Sequence, residues 1–206
     1  MNNFVELYLK RNRGWPWPED SFGLTPMFGE DGWCHDYGVP TASQTGSIVL
    51  RRQGMKAQGA WVPNWNFDVY CVDEALAQEI GSRFRVTMMK VEWRGTPVGG
   101  YQIVVPTVGP AWFDQAELRK IAVRRRGTAG ARCAGCGTWR WMPLPPDTSL
   151  PPRRIASALE VDVAASPEWF GDGYKAFREI VFRRELAEML VAASPRDFKI
   201  REVAWR

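Results

Sequence analysis

Four cysteines and a single histidine are the residues of this 206-residue chain with the most distinctive chemistry. Positions 133–137 read CAGCG, a CxxCG frame whose turn presents two thiolates to one metal ion. Positions 34–38 read CHDYG, the same frame with Tyr37 where the second cysteine would stand. Two such turns that face each other form a zinc ribbon. This chain keeps three of the four thiols, on Cys34, Cys133 and Cys136.

The fourth metal ligand stays open at the level of sequence. His35 is the only imidazole of the chain, and it lies close to the missing thiol, so it would complete a Cys₃His zinc site. Alternatively, zinc has been lost and the frames persist as packed turns, with His35 facing solvent, because adjacent side chains point apart unless a turn distorts. Cys71 is interpreted as a small buried hydrophobic residue at the end of a strand.

Catalytic chemistry is poorly supported by the same residues. A thioredoxin-like role would place Cys133 at the start of a helix, whereas positions 137–143 predict an extended segment. A single imidazole excludes a multi-histidine metal site and makes any Ser-His-Asp or Cys-His arrangement depend on His35. Neither a GxxxxGK phosphate loop nor a GxSxG turn occurs. We therefore expect a binding protein rather than an enzyme.

Two similar segments follow the two frames and would position them. Each predicts a helix and then a strand from its apolar spacing. The helices are predicted at 71–80 and 181–190, and the strands at 86–91 and 198–203. Asp73 is a candidate N-cap, and Gly81 or Pro195 would end the helix. Phe198 and Ile200 are predicted to face inward. We interpret the chain as a duplicated half, each copy carrying one frame upstream of one helix–strand unit.

The predicted fold class is α+β, with two pseudo-repeated helix–strand units, an antiparallel sheet and a zinc-ribbon-like pair of CxxCG knuckles. Residues 1–110 would form an N-terminal half with the degenerate knuckle, and residues 111–206 a C-terminal half with the intact one, in one compact body. Further strands are predicted at 47–51, 99–106 and 158–162, a short helix at 112–121, and an extended proline-rich connector at 143–152.

Composition places the chain among ordinary globular proteins, because 45% of its residues are hydrophobic and 24% are charged. No apolar run approaches the ~20 residues of a membrane span, and residues 1–13 lack the apolar core of a signal peptide. We therefore expect a cytoplasmic protein. A net charge of +4 is well below that of a dedicated nucleic-acid binder.

Eleven tryptophans supply candidate anchors for a protein partner, since exposed Trp and Arg dominate binding energies at interfaces. The candidates are Trp15, Trp17, Arg51, Arg52, Trp61, Trp65, Trp139, Arg140 and Trp141. The alternative for each tryptophan is packing in the core.

The paired frames, the proline-rich stretch at 143–152 and the C-terminal helix that leads into 198–203 resemble the bacterial double-CxxCG-motif family. The resemblance covers positions 133–203 better than the first half, where Tyr37 replaces a knuckle cysteine. It implies an immunity protein of a toxin–antitoxin or contact-dependent toxin system, which binds one cognate toxin domain in the cytoplasm and blocks it.

The alternative function is nucleic-acid binding by a zinc ribbon through the basic segment 119–140. Cations cluster ahead of the second frame and beside it, and phosphate contacts require such a cluster. They are Arg119, Lys120, Arg124, Arg125, Arg126, Arg132 and Arg140. An ordinary solvent-exposed strand, with Ile121 and Val123 on its other face, would explain the same charges.

Overall fold

The computed structural model describes residues 3–11, 16–51, 58–144, 148–153 and 160–205, which form a mixed α+β fold. The helices are α1 (Leu24–Phe28), α2 (Glu74–Arg83), α3 (Gln115–Arg126) and α4 (Arg184–Ala193), with a 3₁₀ turn at Ser21–Gly23. Within these ranges, no helix has both the length and the apolarity of a bilayer span.

Twelve strands are found in the described ranges, and they form three sheets. The strands are β1 (Phe4–Leu9), β2 (Trp33–Cys34), β3 (Val39–Pro40), β4 (Ala60–Trp61), β5 (Tyr70–Asp73), β6 (Thr87–Trp93), β7 (Thr96–Val104), β8 (Gly130–Arg132), β9 (Trp139–Trp141), β10 (Val163–Phe170), β11 (Phe177–Arg183) and β12 (Phe198–Arg201). Six strands have the order β12-β1-β11-β10-β9-β8, four have the order β4-β5-β7-β6, and β2 and β3 form a separate hairpin. Every pair is antiparallel except β9 with β10.

Strand β5 leads directly into α2 and then β6, and β11 leads directly into α4 and then β12. In both segments the flanking strands run in the same direction, with one antiparallel strand between them. That strand is β7 in the first segment and the N-terminal β1 in the second. The six-stranded sheet therefore contains a strand from the beginning of the chain among strands from its end.

The segment at 71–80 divides at the predicted N-cap Asp73, so α2 begins at Glu74 as that cap indicates, whereas α4 begins at Arg184, three residues after the predicted start at Val181. Residues 71–73 and 181–183 belong to β5 and β11, because these Val- and Phe-containing runs are buried on both faces, which suits a strand. Asp73 is confirmed as an N-cap, since its carboxylate accepts the Leu76 N–H at 2.9 Å. Helix α2 continues through Gly81 to Arg83.

Three apolar clusters lie on alternate faces of the two large sheets. The central cluster joins both sheets to α2 and α4, and it contains Val72 and Phe182. On the opposite faces, α3 covers the six-stranded sheet, while α1 and the segment at 48–50 cover the four-stranded sheet. Phe198 is buried and Ile200 packs against the central cluster, which confirms their inward direction.

The structure confirms some of the remaining predicted elements but not others. The strand at 99–106 is confirmed as β7, but the segment at 47–51 forms only isolated bridges through Val49 and Leu50. The strand at 158–162 is not found where it was expected: residues 154–159 lie outside the described residues, and β10 begins at Val163. Positions 145–147 of the proline-rich connector also lie outside them.

The predicted helix at 112–121 is α3, which begins three residues later and extends to Arg126. The interpretation of Ile121 and Val123 as part of an exposed strand is wrong. Asp114 caps the helix by accepting the Ala116 and Glu117 N–H groups, and Leu118 with Ala122 forms its buried side.

Candidate metal centre

The two frames form the turns of two hairpins, β2–β3 and β8–β9. In each turn the carbonyl of the first cysteine accepts a hydrogen bond from the N–H of the frame's glycine. The distances are 2.8 Å for Cys34 O and Gly38 N, and 3.0 Å for Cys133 O and Gly137 N. Both glycines have the left-handed backbone conformation, with φ of 62° and 71°, which is unfavourable for residues with a Cβ.

Three thiols converge between these turns. The Sγ atoms of Cys34 and Cys133 are 3.6 Å apart, and those of Cys34, Cys133 and Cys136 all lie within 4.8 Å of one another. A tetrahedral zinc ion with Zn–S bonds of ~2.3 Å holds its sulfur ligands ~3.8 Å apart. The three cysteines therefore lie close enough to hold a metal ion, although 99 positions separate the first from the second.

The pKa values of Cys34 and Cys136 are shifted in opposite directions. Burial raises the pKa of Cys34, although the backbone N–H groups of Tyr37 and Asp36 bond to its sulfur and oppose the rise. For Cys136 burial acts in the same direction, but bonds from the hydroxyl and N–H of Thr138 and from the other two thiols outweigh it, so its pKa is lowered. The lowered pKa of Cys136 favours its thiolate, the form that binds metals.

His35 is not part of the thiol group. Its Nε2 is hydrogen-bonded to the carbonyl of Glu30 at 2.9 Å, and its ring stacks on Trp33 at 3.9 Å between centroids. The expected Cys₃His arrangement is therefore not the one in the structure. The reason is local: the side chain of Cys34 points to the group at the end of β2, and the next side chain along the chain points away.

Tyr37, at the position of the missing thiol, is held by Arg140. The guanidinium carbon of Arg140 lies 4.1 Å from the centroid of the tyrosine ring. The same guanidinium donates hydrogen bonds to the carbonyls of Tyr37 at 2.9 Å and Gly173 at 2.6 Å. Arg140, expected as a partner anchor, thus connects the first hairpin to the second and to the loop at residue 173.

The first hairpin also packs closely on the loop that follows β10. A Cβ atom added at Gly38 would lie only 2.0 Å from the carbonyl oxygen of Tyr174. The Trp33 ring meets the Tyr174 ring edge-on at 5.7 Å. Gly38 is therefore required both for its left-handed backbone and for this approach.

The expected tryptophan anchors divide between core and surface. Trp61 and Trp141 are only 3% and 4% exposed, and they pack in clusters on opposite sides of the molecule, so their interpretation as anchors is wrong. Trp139 is half-buried and lies 4.9 Å from the guanidinium of Arg119. Trp17, Trp65 and Arg51 are exposed. Trp15 and Arg52 lie outside the described residues.

Four exposed rings define what we call the aromatic surface: Trp17, Trp65, Phe67 and Tyr174. Sequence reasoning missed Phe67 and Tyr174, which nothing in the local pattern distinguishes from buried rings. The Trp65 and Phe67 rings meet at 6.0 Å. A hydrogen bond of 2.8 Å from Asn64 N to Pro16 O joins the loops that bear Trp65 and Trp17.

Backbone strain is concentrated in the loops of the aromatic surface. Of the described non-glycine residues, those with positive φ are Asp20, Ser21, Phe22, Trp65 and Arg94. The first three begin three residues after Trp17, and Phe22 contacts Tyr174 at 5.7 Å between ring centroids. A bulky residue in this conformation costs of order 1–3 kcal/mol, and such strain clusters at binding sites.

A cavity of about 750 Å³ lies between the two large sheets and is lined on one side by three charged residues. Lys175 and Arg178 approach the carboxylate of Asp68 at 2.8 and 3.6 Å. Burial alone would raise the pKa of Asp68, but the attraction of the two cations lowers it. The charged groups of this cavity are therefore paired with one another.

A second exposed feature is the basic surface, which we define by five exposed cations on α3 and β8. They are Arg119, Lys120, Arg124, Arg125 and Arg132. Three consecutive arginines in the last turn of α3 also interact favourably with the helix dipole. Arg126 differs from the others because its Nε donates to the carbonyl of Pro143 at 2.8 Å.

Replacing Gly38 by alanine is expected to destabilise the protein more than replacing Gly137 by alanine. Either change costs about 1–2 kcal/mol for the left-handed backbone alone. At Gly38 the methyl group would also meet the carbonyl of Tyr174, whereas no described atom lies within 4 Å of the equivalent position at Gly137. Urea unfolding should show a further loss of about 1–3 kcal/mol for Gly38→Ala. Equal losses would contradict the packing of the first hairpin on this loop.

Three sulfur donors with one lowered pKa form a soft ligand set, which suits zinc and other thiophilic metals rather than magnesium or calcium. The same thiols are held within two hairpin turns, and none begins a helix, so the geometry differs from that of a redox CxxC site. No protein-family model, curated protein or solved structure matches this chain. The interpretation as a metal site therefore rests on the chemistry and spacing of the three thiols.

Proposed function

We propose that the protein is a non-catalytic binding protein whose two hairpins are joined by one structural zinc ion and whose aromatic surface docks a protein partner. Cys34, Cys133 and Cys136 supply thiolate ligands to the zinc. Their spacing of 3.6 Å for the first pair is that of neighbouring ligands on one tetrahedral ion. The metal has a structural role because it ties a small hairpin to the edge of the six-stranded sheet.

The chain descends, in this proposal, from a duplicated half that carried a knuckle and a strand–helix–strand unit. Support comes from the two frames, whose turns share the same carbonyl-to-glycine hydrogen bond, and from the matched order β5-β7-β6 and β11-β1-β12. The two hairpins then correspond to the halves of a zinc ribbon, one of which has exchanged a thiol for Tyr37.

The concentration of exposed rings on strained loops is the observation that supports partner binding most directly. Trp65 is 55% exposed and Phe67 42% exposed. Exposing such large apolar rings to water costs free energy, and large exposed apolar patches mark interaction sites. Rigid aromatic side chains bury much area at little cost in rotamer entropy. Arg51 borders the surface, because its N–H donates to the carbonyl of Trp17 at 2.8 Å.

The partner that the double-CxxCG resemblance favours is a toxin domain encoded beside this chain. In this proposal the protein acts in the bacterial cytoplasm as an immunity protein and blocks the toxin by direct contact. The body would remain rigid during binding, because the metal centre and the buried ion group at Asp68 fix the loops around the aromatic surface.

Replacing Cys133 by serine is expected to abolish metal binding and destabilise the fold. Metal analysis of wild-type protein should give one zinc per chain, and the variant none. The unfolding free energy should fall by about 4 kcal/mol, the stabilisation expected when free zinc exceeds its Kd about 1,000-fold. Chelator should lower the melting temperature of the wild type but leave that of Cys133→Ser unchanged.

Cys71→Ala is the matched control for this experiment. Cys71 is fully buried in β5 and outside the thiol group, so its replacement should reduce stability through packing while retaining one zinc. A wild-type protein that purifies without metal and gains no stability from added zinc would contradict the structural role of zinc.

Replacing Trp65 by serine is expected to weaken the complex with the product of the adjacent toxin gene by at least about 30-fold, which corresponds to the ~2 kcal/mol of an interface hot spot. Val123→Ser is the matched control, because Val123 is also exposed, at 47% against 55% for Trp65, but lies on α3. Calorimetry should show unchanged affinity for the control. An adjacent gene product that neither binds the protein nor is inhibited by it would contradict the immunity role.

Nucleic-acid binding is the second candidate function, and the basic surface favours it. Lys120, Arg124 and Arg125 lie on the exposed side of a 12-residue helix, an element that fits the major groove of DNA. The helix lies beside the second knuckle hairpin, since Arg119 contacts the rings of Trp139 and Trp141.

If this second function holds, Arg124→Glu should weaken binding to a labelled DNA duplex and reduce the salt dependence of binding by about one phosphate contact. Lys90→Glu, an equal charge reversal at an exposed position of β6, should bind as the wild type does. The absence of any duplex binding by the wild type at 50 mM salt, about the lower end of the range in which such contacts are strong, would exclude the second function.

A further inference from the structure

A carboxylate lies at the rim of the thiol group. The Oδ2 atom of Asp36 is 3.9 Å from the Sγ of Cys133. In a tetrahedral zinc site with Zn–S and Zn–O bonds of ~2.3 and ~2.0 Å, a sulfur and an oxygen ligand lie ~3.5 Å apart. The carboxylate is therefore within half an ångström, roughly, of the ligand spacing to this thiol.

The turn of the first hairpin holds Asp36 in this place. Its backbone N–H bonds to the sulfur of Cys34, so that the chain wraps around the first ligand. The carboxylate then reaches across to the second hairpin and lies over Gly135. A Cβ atom added at Gly135 would be 3.1 Å from Oδ2, which is tighter than ordinary contact, so the glycine leaves room for the carboxylate.

The side chains of the residues on either side of Asp36 in the frame contact other groups. His35 is hydrogen-bonded to the carbonyl of Glu30 and stacked on Trp33. Tyr37 has its ring under the guanidinium of Arg140. Of the three residues between Cys34 and Gly38, Asp36 is thus the one whose side chain contacts a second thiol of the group, that of Cys133.

We propose that Asp36 is the fourth ligand of the metal centre, which makes it a Cys₃Asp site. The inference rests on the proposed zinc binding. Metal binding would displace the thiol protons to solvent. The Asp36 side chain would rotate to bring Oδ2 into the ligand shell, because Oδ2 now lies outside the group of atoms within 4.8 Å of one another. Three thiolates and one carboxylate on a divalent ion would give the site a net negative charge, of which Arg140, beside Tyr37, would offset only part.

Cobalt(II) titration of the full-length apoprotein tests the assignment, because its visible spectrum reports ligand number and its near-ultraviolet charge-transfer bands report thiolates. Asp36→Asn should lower the affinity for zinc at least about 10-fold in competition with a chromophoric chelator, and it should alter the visible bands. Asp36→Cys should restore the affinity and increase the charge-transfer intensity above that of the wild type, as a fourth thiolate joins the site.

Matched variants separate this inference from the zinc proposal. Asp31→Asn, His35→Ala and Tyr37→Phe should retain the wild-type affinity and spectrum. Wild-type affinity and spectrum in Asp36→Asn, or a loss in Tyr37→Phe or His35→Ala instead, would overturn the assignment of Asp36 while leaving zinc binding intact. Failure of the wild type itself to bind cobalt or zinc would overturn both. Circular dichroism of each apoprotein shows whether the variants fold alike.

Discussion

The approach of Cys34 to Cys133 is the contact on which the arrangement of the small hairpin depends. Strands β2 and β3 pair only with each other among the described strands, so no sheet hydrogen bonds attach them to the body. Their attachment comes from the thiol group, the guanidinium of Arg140 and the close packing of Gly38 on Tyr174. Without a metal, thiols attract one another only weakly, whereas bonds to one ion would supply free energy directly to the fold.

The two halves of the chain are also joined through the six-stranded sheet. Strand β1 lies between β11 and β12, and the central apolar cluster draws side chains from both sheets and from α2 and α4. In the duplication that we propose, the strand equivalent to β7 would follow β12, and the N-terminal β1 lies in the corresponding position of the sheet. The thiol group and β1 therefore connect the same two regions at separate points.

The two surfaces that suit partners lie on different elements and have different chemistry. The aromatic surface is carried by loops with left-handed backbone at Phe22 and Trp65, and these loops are fixed from beneath by ion pairs and ring contacts. The basic surface consists of exposed cations on α3 and β8. Apolar rings suit a folded protein partner, whereas exposed cations suit phosphates, so the two candidate functions place different demands on the molecule.

Much of the metal centre could be predicted from the sequence, because a CxxCG frame encodes its own turn: the glycine, the thiol spacing and the hydrogen bond are all local. The same holds for the cap at Asp73 and for β7. Local patterns also misplaced the beginning of α4, because a run such as Val181-Phe182 suits a buried strand and an apolar helix face equally well.

The sequence by itself determined that Cys34, Cys133 and Cys136 belong to two matching frames. It also determined that a helix and then a strand occur downstream of each frame. Tertiary structure alone decided that Trp61 is buried while Trp65 is exposed, and that a carboxylate from one turn reaches the other. The reason is that spacing and periodicity are properties of neighbouring residues. The direction of a side chain and its burial depend on which distant segments the folded backbone brings beside it.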